Sequence, residues 1–334
     1  MNIIATKEIE FIKKTLQKTN LNLKGYTVLT ELGNNYYFYL PFIAALAGAK
    51  KVMAWTASNK HFDCDTNLIH AKKVAKKLRL DSVIEFCKNE RPLQHISAAD
   101  IITNSGFLRP LDSLFLENVN KNVVIPLMFE AWELRATDID IDYCKKKNIR
   151  VVGTWESHPK FKIFESVGPL AVKLAFEAGM EVYQNSILVW SDDDFGTMSA
   201  TYFKKMGAKE VVLTTDKSTA LAFMKKADFV YFCANHEKKY LISNTIKDAL
   251  FTTDEIKEAN PTLTIVHLYG KIDAVHIKKS NLSIYPPYDG KAEYMSKTLS
   301  HIGMIPTLNL FIASLKVAQE VAQNKTTKLS QIIV

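Results

Sequence analysis

Short, wholly apolar runs alternate along this chain with longer stretches in which apolar residues recur at helical spacing. Tyr26 to Leu32 reads as a buried strand. Gly33-Asn34-Asn35 breaks it, an apolar helix follows from about Tyr36 to Ala49, and Lys51 to Thr56 is the next strand. Strand, turn, helix and strand in that order make a βαβ unit, which implies a parallel sheet with a right-handed crossover. The alternation continues with a lysine-rich helix over Asn67 to Leu80 and strands over Ser82 to Phe86, in Ala98 to Asp112, and over Asn122 to Met128. A helix over Asp138 to Lys147 and a strand over Ile149 to Gly153 complete this half, which the loop Thr154 to Pro159 closes. A long helix, Phe164 to Tyr183, leads to further strands at Ile187 to Trp190, Lys209 to Thr215, Phe229 to Cys233 and Thr264 to Leu268. Leu308 to Gln323 is a last helix.

The pattern predicts an α/β protein with two Rossmann-like domains, each built on a parallel sheet, around a central cleft. Residues 1–163 form the first domain, with the C-terminal helix of 302–334 packing back on it, and 164–301 form the second. At 334 residues and 47% hydrophobic, the chain can bury cores for both. No run reaches the roughly 18 apolar residues of a membrane span. Met1 to Asn20 carries lysines and glutamates around an apolar stripe, so it reads as a surface helix and not a signal peptide. A cytoplasmic protein without membrane contact is expected.

Charge and cysteines alter this picture little. The net charge of +8 and pI near 9.0 permit a polyanionic partner. However, the lysines come in pairs and triplets such as Lys72-Lys73, Lys76-Lys77 and Lys145-Lys146-Lys147, the pattern of solvated helix faces and not of a nucleic-acid surface. Cys64, Cys87, Cys144 and Cys233 show no CxxC pairing, so neither disulfides nor a structural zinc is expected. His61, Cys64 and His70 do not have a recognised metal-ligand spacing.

The most informative stretch is Ser186 to Gly196, a strand running through a turn into a helix. A dinucleotide-binding fold places its G-x-G-x-x-G turn and its phosphates at such a point. Here those six positions are Ser191, Asp192, Asp193, Asp194, Phe195 and Gly196, so only the last glycine is present and three carboxylates stand beside it. A carboxylate about 6 Å from a phosphate charge repels it by roughly 3 kcal/mol at an effective dielectric of 20. The same acids suit a helix N-terminus, where a cap contributes roughly 0.5–2 kcal/mol. They take the phosphates' place unless they turn outward or a Mg²⁺ ion bridges them to the phosphates. Asp216, just past the next strand, stands where an acid holds the ribose 2′-hydroxyl, and Lys217 beside it suits a 2′-phosphate. NAD and NADP are therefore both open.

From Ala98 to Asp273 the chain resembles a known family. The run Ala-Asp-Ile-Ile-Thr-Asn-Ser-Gly, then Asn-Val-Val-Ile-Pro, Asp-Ile-Asp-Ile and Cys-Lys-Lys-Lys-Asn-Ile-Arg-Val-Val-Gly-Thr follows the substrate domain of the D-isomer-specific 2-hydroxyacid dehydrogenases. The Phe164 to Tyr183 helix looks like that family's connector into its nucleotide domain. The resemblance implies an NAD(P)-linked oxidoreductase acting on a small anionic substrate, a homodimer through the nucleotide domain, and Asn235 in a loop over the nicotinamide.

The sequence departs from the family at its chemistry. Tyr269 stands where the substrate-binding arginine is expected, and the slot of the catalytic histidine reads Tyr285-Pro286-Pro287. A tyrosine lacks the charged two-pronged contact, and proline cannot exchange a proton. Replacement candidates are His267, His301 and Tyr269 for catalysis. For substrate, they are Asn104, Ser105, Glu133, Arg135 and Glu156, with Arg135 as the carboxylate anchor and Glu133 or Glu156 orienting it; Glu130, Trp155 and His158 lie on the same loops. The cofactor set would be Ser191, Asp193, Phe195, Gly196, Asp216, Lys217 and Asn235, with no metal. Two functions stay open: a divergent NAD(P)-dependent dehydrogenase-like protein, and a non-catalytic binding or assembly protein that has lost the dinucleotide. The run Val-Leu-Thr-Glu-Leu-Gly also resembles the first motif of adenosylmethionine-dependent methyltransferases, but the second strand ends at Trp55-Thr56 without the ribose-binding acid, which makes that function remote.

Overall fold

The computed structural model describes residues 6–59, 62–234, 239–287, 295–325 and 330–334. It divides into two compact units, Met1–Ile163 with Met304–Val334, and Phe164–Gly303.

The first unit contains α1 (Thr6–Thr19), β1 (Thr27–Glu31), α2 (Leu40–Leu46), β2 (Lys51–Thr56), α3 (Cys64–Leu78), β3 (Ile84–Lys88) and α4 (Leu93–Ala98). It continues through β4 (Ile101–Ile102), α5 (Ser113–Leu116), β5 (Val124–Pro126), α6 (Ile141–Lys147) and β6 (Arg150–Thr154). The second unit contains α7 (Val167–Glu177), β7 (Ser186–Trp190), α8 (Asp194–Lys205), β8 (Glu210–Thr214), α9 (Lys217–Met224), β9 (Phe229–Cys233), β10 (Tyr240–Ile242) and α10 (Thr253–Ala259). Then come β11 (Thr264–Tyr269), β12 (Lys271–Ile272), α11 (Ala274–Lys279) and β13 (Ser283–Tyr285). The chain ends in the first unit with α12 (Met304–Ala322) and β14 (Ser330–Ile332).

The first unit's sheet has the order β14-β6-β5-β4-β1-β2-β3, parallel throughout except for β14, which runs antiparallel to β6. The second unit's main sheet is β13-β11-β9-β7-β8, all parallel, with β10 and β12 paired separately. Parallel strands covered on both faces have apolar side chains in both directions, which is why β1, β7, β9 and β11 are buried along their whole length. Both sheets are the parallel Rossmann-like layers that the sequence predicts. Strand order reverses at β1, between β2 and β4, and at β7, between β8 and β9. Open α/β sheets bind ligands beyond the C-terminal ends of strands at such a switch point.

Several boundaries differ from the sequence reading for local reasons. The apolar stretch after Asn35 begins as a 3-10 turn (Asn35–Tyr39). The α-helix starts only at Leu40, with Pro41 in its first turn, where a missing N–H is tolerated. α6 begins at Ile141 because Asp140 caps it, accepting from the Tyr143 amide at 2.9 Å. That leaves Asp138, expected inside the helix, outside it. α8 begins at Asp194, because Asp193 is its cap. β14 was not expected; three residues give too short an apolar pattern to register. α12 is apolar around most of its circumference and buried along most of its length, packed on β5, β6 and α1. Among the described residues no helix is long and apolar enough to cross a membrane.

Gly196 fixes how closely α8 lies on its sheet. A Cβ there would sit 2.2 Å from Ser191 Cβ and 3.0 Å from Leu213 Cδ1. Gly196→Ala is therefore expected to lose about 1–3 kcal/mol by overpacking. Urea unfolding checks this, and an unchanged midpoint would contradict the close packing.

Candidate functional site

In the second unit, the turn after β7 is filled by its own side chain. Asp193 Oδ1 accepts from the Phe195 amide at 2.9 Å and the Gly196 amide at 3.3 Å, the two groups that open α8. Ser191 Oγ lies 2.8 Å from the same carboxylate oxygen and 2.9 Å from the Cys233 carbonyl. Asp192 and Asp194 are exposed. Burial pushes the Asp193 carboxyl up, opposed by the Ser191 hydroxyl and the Gly196 and Phe195 amides. A helix N-terminus binds phosphate through free amides and its dipole. Here the carboxylate holds both amides, so the residues present do not fit a dinucleotide diphosphate in this conformation.

The remaining cofactor candidates are also engaged. Asp216 caps α9, accepting from Thr219 N at 2.7 Å, Thr219 Oγ1 at 2.6 Å and Ser218 Oγ at 2.7 Å, and these bonds pull its pKa down to about 2. Lys217 pairs with Glu255 at 2.6 Å. Phe195 is buried, its ring 5.0 Å from Phe164 and 5.9 Å from Tyr269. Asn235 lies outside the described residues, as does His61.

The three residues named for catalysis are not brought together as an exposed set. His267 is 0% exposed, its Nε2 is 2.7 Å from the Gly270 carbonyl, and burial lowers its pKa to about 4. A carbonyl only accepts, so Nε2 carries the proton and the ring stays neutral. His267 is a core histidine tying the turn after β11, and not the solvent-facing group that its selection for catalysis requires. Tyr269 is buried beside it. His301, expected ahead of the last helix, ends a short 3-10 turn and meets Glu177 at 2.7 Å. Glu177 also accepts from the Tyr285 hydroxyl at 2.8 Å.

The first unit gathers the charged candidates at the C-terminal edge of its sheet. Glu31 ends β1, Asn104 and Ser105 follow β4, Glu130 to Arg135 follow β5, and Glu156 follows β6. Thr103 hydrogen-bonds to Leu29, and the Thr30 and Thr103 hydroxyls meet at 2.8 Å, so the loop of 103–109 lies against the end of β1. Arg109, which the sequence reading did not select, organises this loop. Its Nε donates to Asn104 Oδ1 at 2.9 Å, its Nη2 to the Asn104 carbonyl at 2.7 Å, and its Nη1 lies 3.3 Å from Asp138 Oδ2. Arg135 reaches the same Asp138 oxygen at 3.6 Å. Both guanidinium groups lie over Phe129, 4.5 Å from the ring centroid for Arg135 and 5.4 Å for Arg109. Two cations share one aromatic face and one carboxylate, an arrangement suited to a second anion.

Glutamates surround this pair. Glu130 Oε1 accepts from the Glu156 amide at 2.8 Å, and its Oε2 accepts from Trp132 Nε1 at 2.9 Å. Burial raises Glu133 to about 7, with Arg135 opposing and Glu130 reinforcing. Glu156 is pushed well above the usual carboxylate range by burial and by the neighbouring charges of Glu133 and Glu130. Glu31 is raised by burial against the Phe107 amide, which donates to its Oε2 at 3.0 Å, and against the Arg109 charge. A carboxyl titrating near neutrality beside an arginine can exchange a proton with a bound molecule. Of the sequence-selected set, Asn104, Ser105, Glu133, Arg135 and Glu156 all fall within this edge. His158 instead accepts the Lys160 amide at 3.1 Å. The additional residues are Glu31, Tyr37, Arg109, Phe129 and Asp138. Their one sequence signal is Glu31, an acid in a strand otherwise buried and uncharged.

Raised carboxyl values have a definite sign in stability. The folded state holds protons on Glu133 and Glu156 where the unfolded chain has lost them. Stability therefore falls as pH rises from about 4.5, the ordinary glutamate value, through about 7, where Glu133 titrates. Glu133→Gln and Glu156→Gln are expected to flatten this loss. Unfolding midpoints measured at several pH values between 5 and 8.5 check it; parallel profiles for the variants and the native chain would contradict it.

No protein-family model matches the chain, and no curated protein matches its sequence. Solved structures do match its fold. Dipicolinate synthase from Bacillus subtilis aligns with a TM-score of 0.57 at 11% identity, over 91% of this chain and 99% of that one. The dipicolinate synthase of Bacillus halodurans gives 0.54 at 12% identity, over 89% and 98%. The pyruvate reductase of Chlamydomonas reinhardtii gives 0.56 at 11% identity, over 93% and 99%. The chain therefore shares with these three proteins an α/β fold of two Rossmann-like parallel sheets.

Proposed function

We propose that this chain binds a small anionic metabolite at the C-terminal edge of the first unit's sheet. Arg109 and Arg135 hold the anion, and Glu133 exchanges a proton with it. A nicotinamide dinucleotide is not held through the ordinary phosphate turn. The observation that carries this reading is the pair of arginines over Phe129, sharing Asp138 beside carboxyls that burial shifts upward. The Asp193 carboxylate on the Phe195 and Gly196 amides supports the second half of it.

The site is suited to a carboxylate for three reasons. Guanidinium forks match carboxylate geometry. The aromatic face and partial burial lower the local dielectric, which strengthens the attraction. Burial shifts the Glu133 and Glu156 carboxyls upward, which lessens their repulsion of the ligand. An NAD(P)-dependent reduction is the second reading. It is favoured by Gly196, which occupies the position of the third fingerprint glycine and gives the close helix–strand packing that glycine serves. In that case Asp193 must leave its amides before a diphosphate can bind.

Thermal shift measurements separate the two. Small mono- and dicarboxylates at about 100 times their dissociation constant should stabilise the protein by roughly 2.7 kcal/mol, a rise of several degrees. Arg109→Gln or Arg135→Gln should abolish the rise. NADH and NADPH, with or without Mg²⁺, should give no shift to the native chain. A dinucleotide shift on the native chain, together with no response to any carboxylate, would establish the second reading instead.

A further inference from the structure

Two atoms at the first unit's switch point are buried and take no hydrogen bond: Glu31 Oε1 and Asn104 Nδ2. Glu31 is 3% exposed and Asn104 is 0% exposed. The orientation of the Asn104 amide is fixed, because Arg109 Nε donates to its Oδ1. Buried polar groups in folded proteins are almost always satisfied, so an exception requires a missing partner. These two need opposite partners, an acceptor for Asn104 Nδ2 and a donor for Glu31 Oε1. Both belong to the group around Arg109, which bonds Asn104 directly and whose charge acts on Glu31.

The Glu31 carboxylate is packed closely by the backbone around it: a Cβ on Gly106 would lie 2.8 Å from Glu31 Oε2, and one on Gly33 would meet Tyr37 Cβ at 2.6 Å before Glu31 Cδ at 3.4 Å. We propose that the metabolite at this edge is a small carboxylate that also carries an amino or imino nitrogen. Its carboxylate meets Asn104 Nδ2 and the Arg109 guanidinium, and its nitrogen donates to Glu31 Oε1. The inference rests on the preceding reading that this edge takes a carboxylate, and it adds the second functional group.

A hydroxyl could donate to Glu31 as well, but charge favours nitrogen. Glu31 Oε1 is an acceptor with no donor on it, at the end of a buried strand. A protonated nitrogen forms a charge-assisted bond with the carboxylate, about twice as strong as a neutral one. A hydroxyl forms only a bond to one charged partner and adds no charge of its own opposite the buried acid. Arg109 already faces Asp138, so a ligand carrying both signs adds no net charge to a crowded buried edge.

Isothermal titration calorimetry on the full chain tests this with matched acids: alanine against lactate, aspartate against malate, and glutamate against 2-hydroxyglutarate. In the pair that fits the site, the amino member is expected to bind about tenfold tighter or more. Glu31→Gln, checked for native circular dichroism, should remove that preference while changing the hydroxy member by less than about threefold. A hydroxy acid that binds as tightly as its amino partner overturns the assignment of nitrogen and leaves the carboxylate reading standing. If no acid of either kind binds, both are overturned. Should Glu31→Gln fail to fold, the paired comparison on the native chain decides alone.

Discussion

A guanidinium withdrawn from water must have its donors met, and Arg109 meets this requirement in a way that sets the rest of the first unit's edge. Three of its nitrogens are directed at Asn104 and Asp138. The Asn104 contacts hold the loop after β4 in place, and with it the Phe107 amide that binds Glu31. The Asp138 contact draws in the segment ahead of α6 and leaves Arg135 beside the same carboxylate. Buried ion pairs of this kind often add little net stability, because desolvation offsets their attraction. Their position at a switch point, beside carboxyls that burial shifts upward, is what the proposed anion site rests on.

The second unit treats charge in the opposite way. Its helix opens with the two amides that a phosphate would need, and a carboxylate from the preceding residue closes on both. Ser191 Oγ lies between that carboxylate and the Cys233 carbonyl at the end of β9, with one hydroxyl proton for the two acceptors. The cap is short-range and internal, so it forms whenever the helix forms, whereas a dinucleotide must displace it at a loss of both hydrogen bonds. Gly196 remains because the sheet needs it for packing, independent of any ligand. At this turn the second unit sets its own carboxylate where a dinucleotide-binding fold sets phosphate.

The layered α/β architecture was legible from period alone, because strands buried on both faces read as continuous apolar runs. The acidic turn and its capping role were also legible, since an aspartate two residues ahead of an amide pair has a strong local preference. The charged loops were recognised individually: Arg135, Glu133, Glu156, Asn104 and Ser105 all lie on the edge described. What the sequence could not reveal was which of them share an environment. Arg109 reads as a turn residue ahead of a proline, and Asp138 as the first turn of a helix, until Asp140 is seen to cap that helix. His267 illustrates the converse. A histidine at a strand end has the same sequence appearance whether it faces solvent or, as here, bonds a carbonyl in the core.

The central claim is that an anion belongs on the first unit's arginines and not on the second unit's helix amides. A crystal structure of the chain grown with NADH and a mixture of small amino and hydroxy acids tests it most directly. The expected result is a carboxylate within about 3 Å of the Arg109 guanidinium, with Asp193 still bonded to Phe195 and Gly196. A diphosphate on those two amides, with Asp193 displaced and the arginine edge holding no acid, would contradict it.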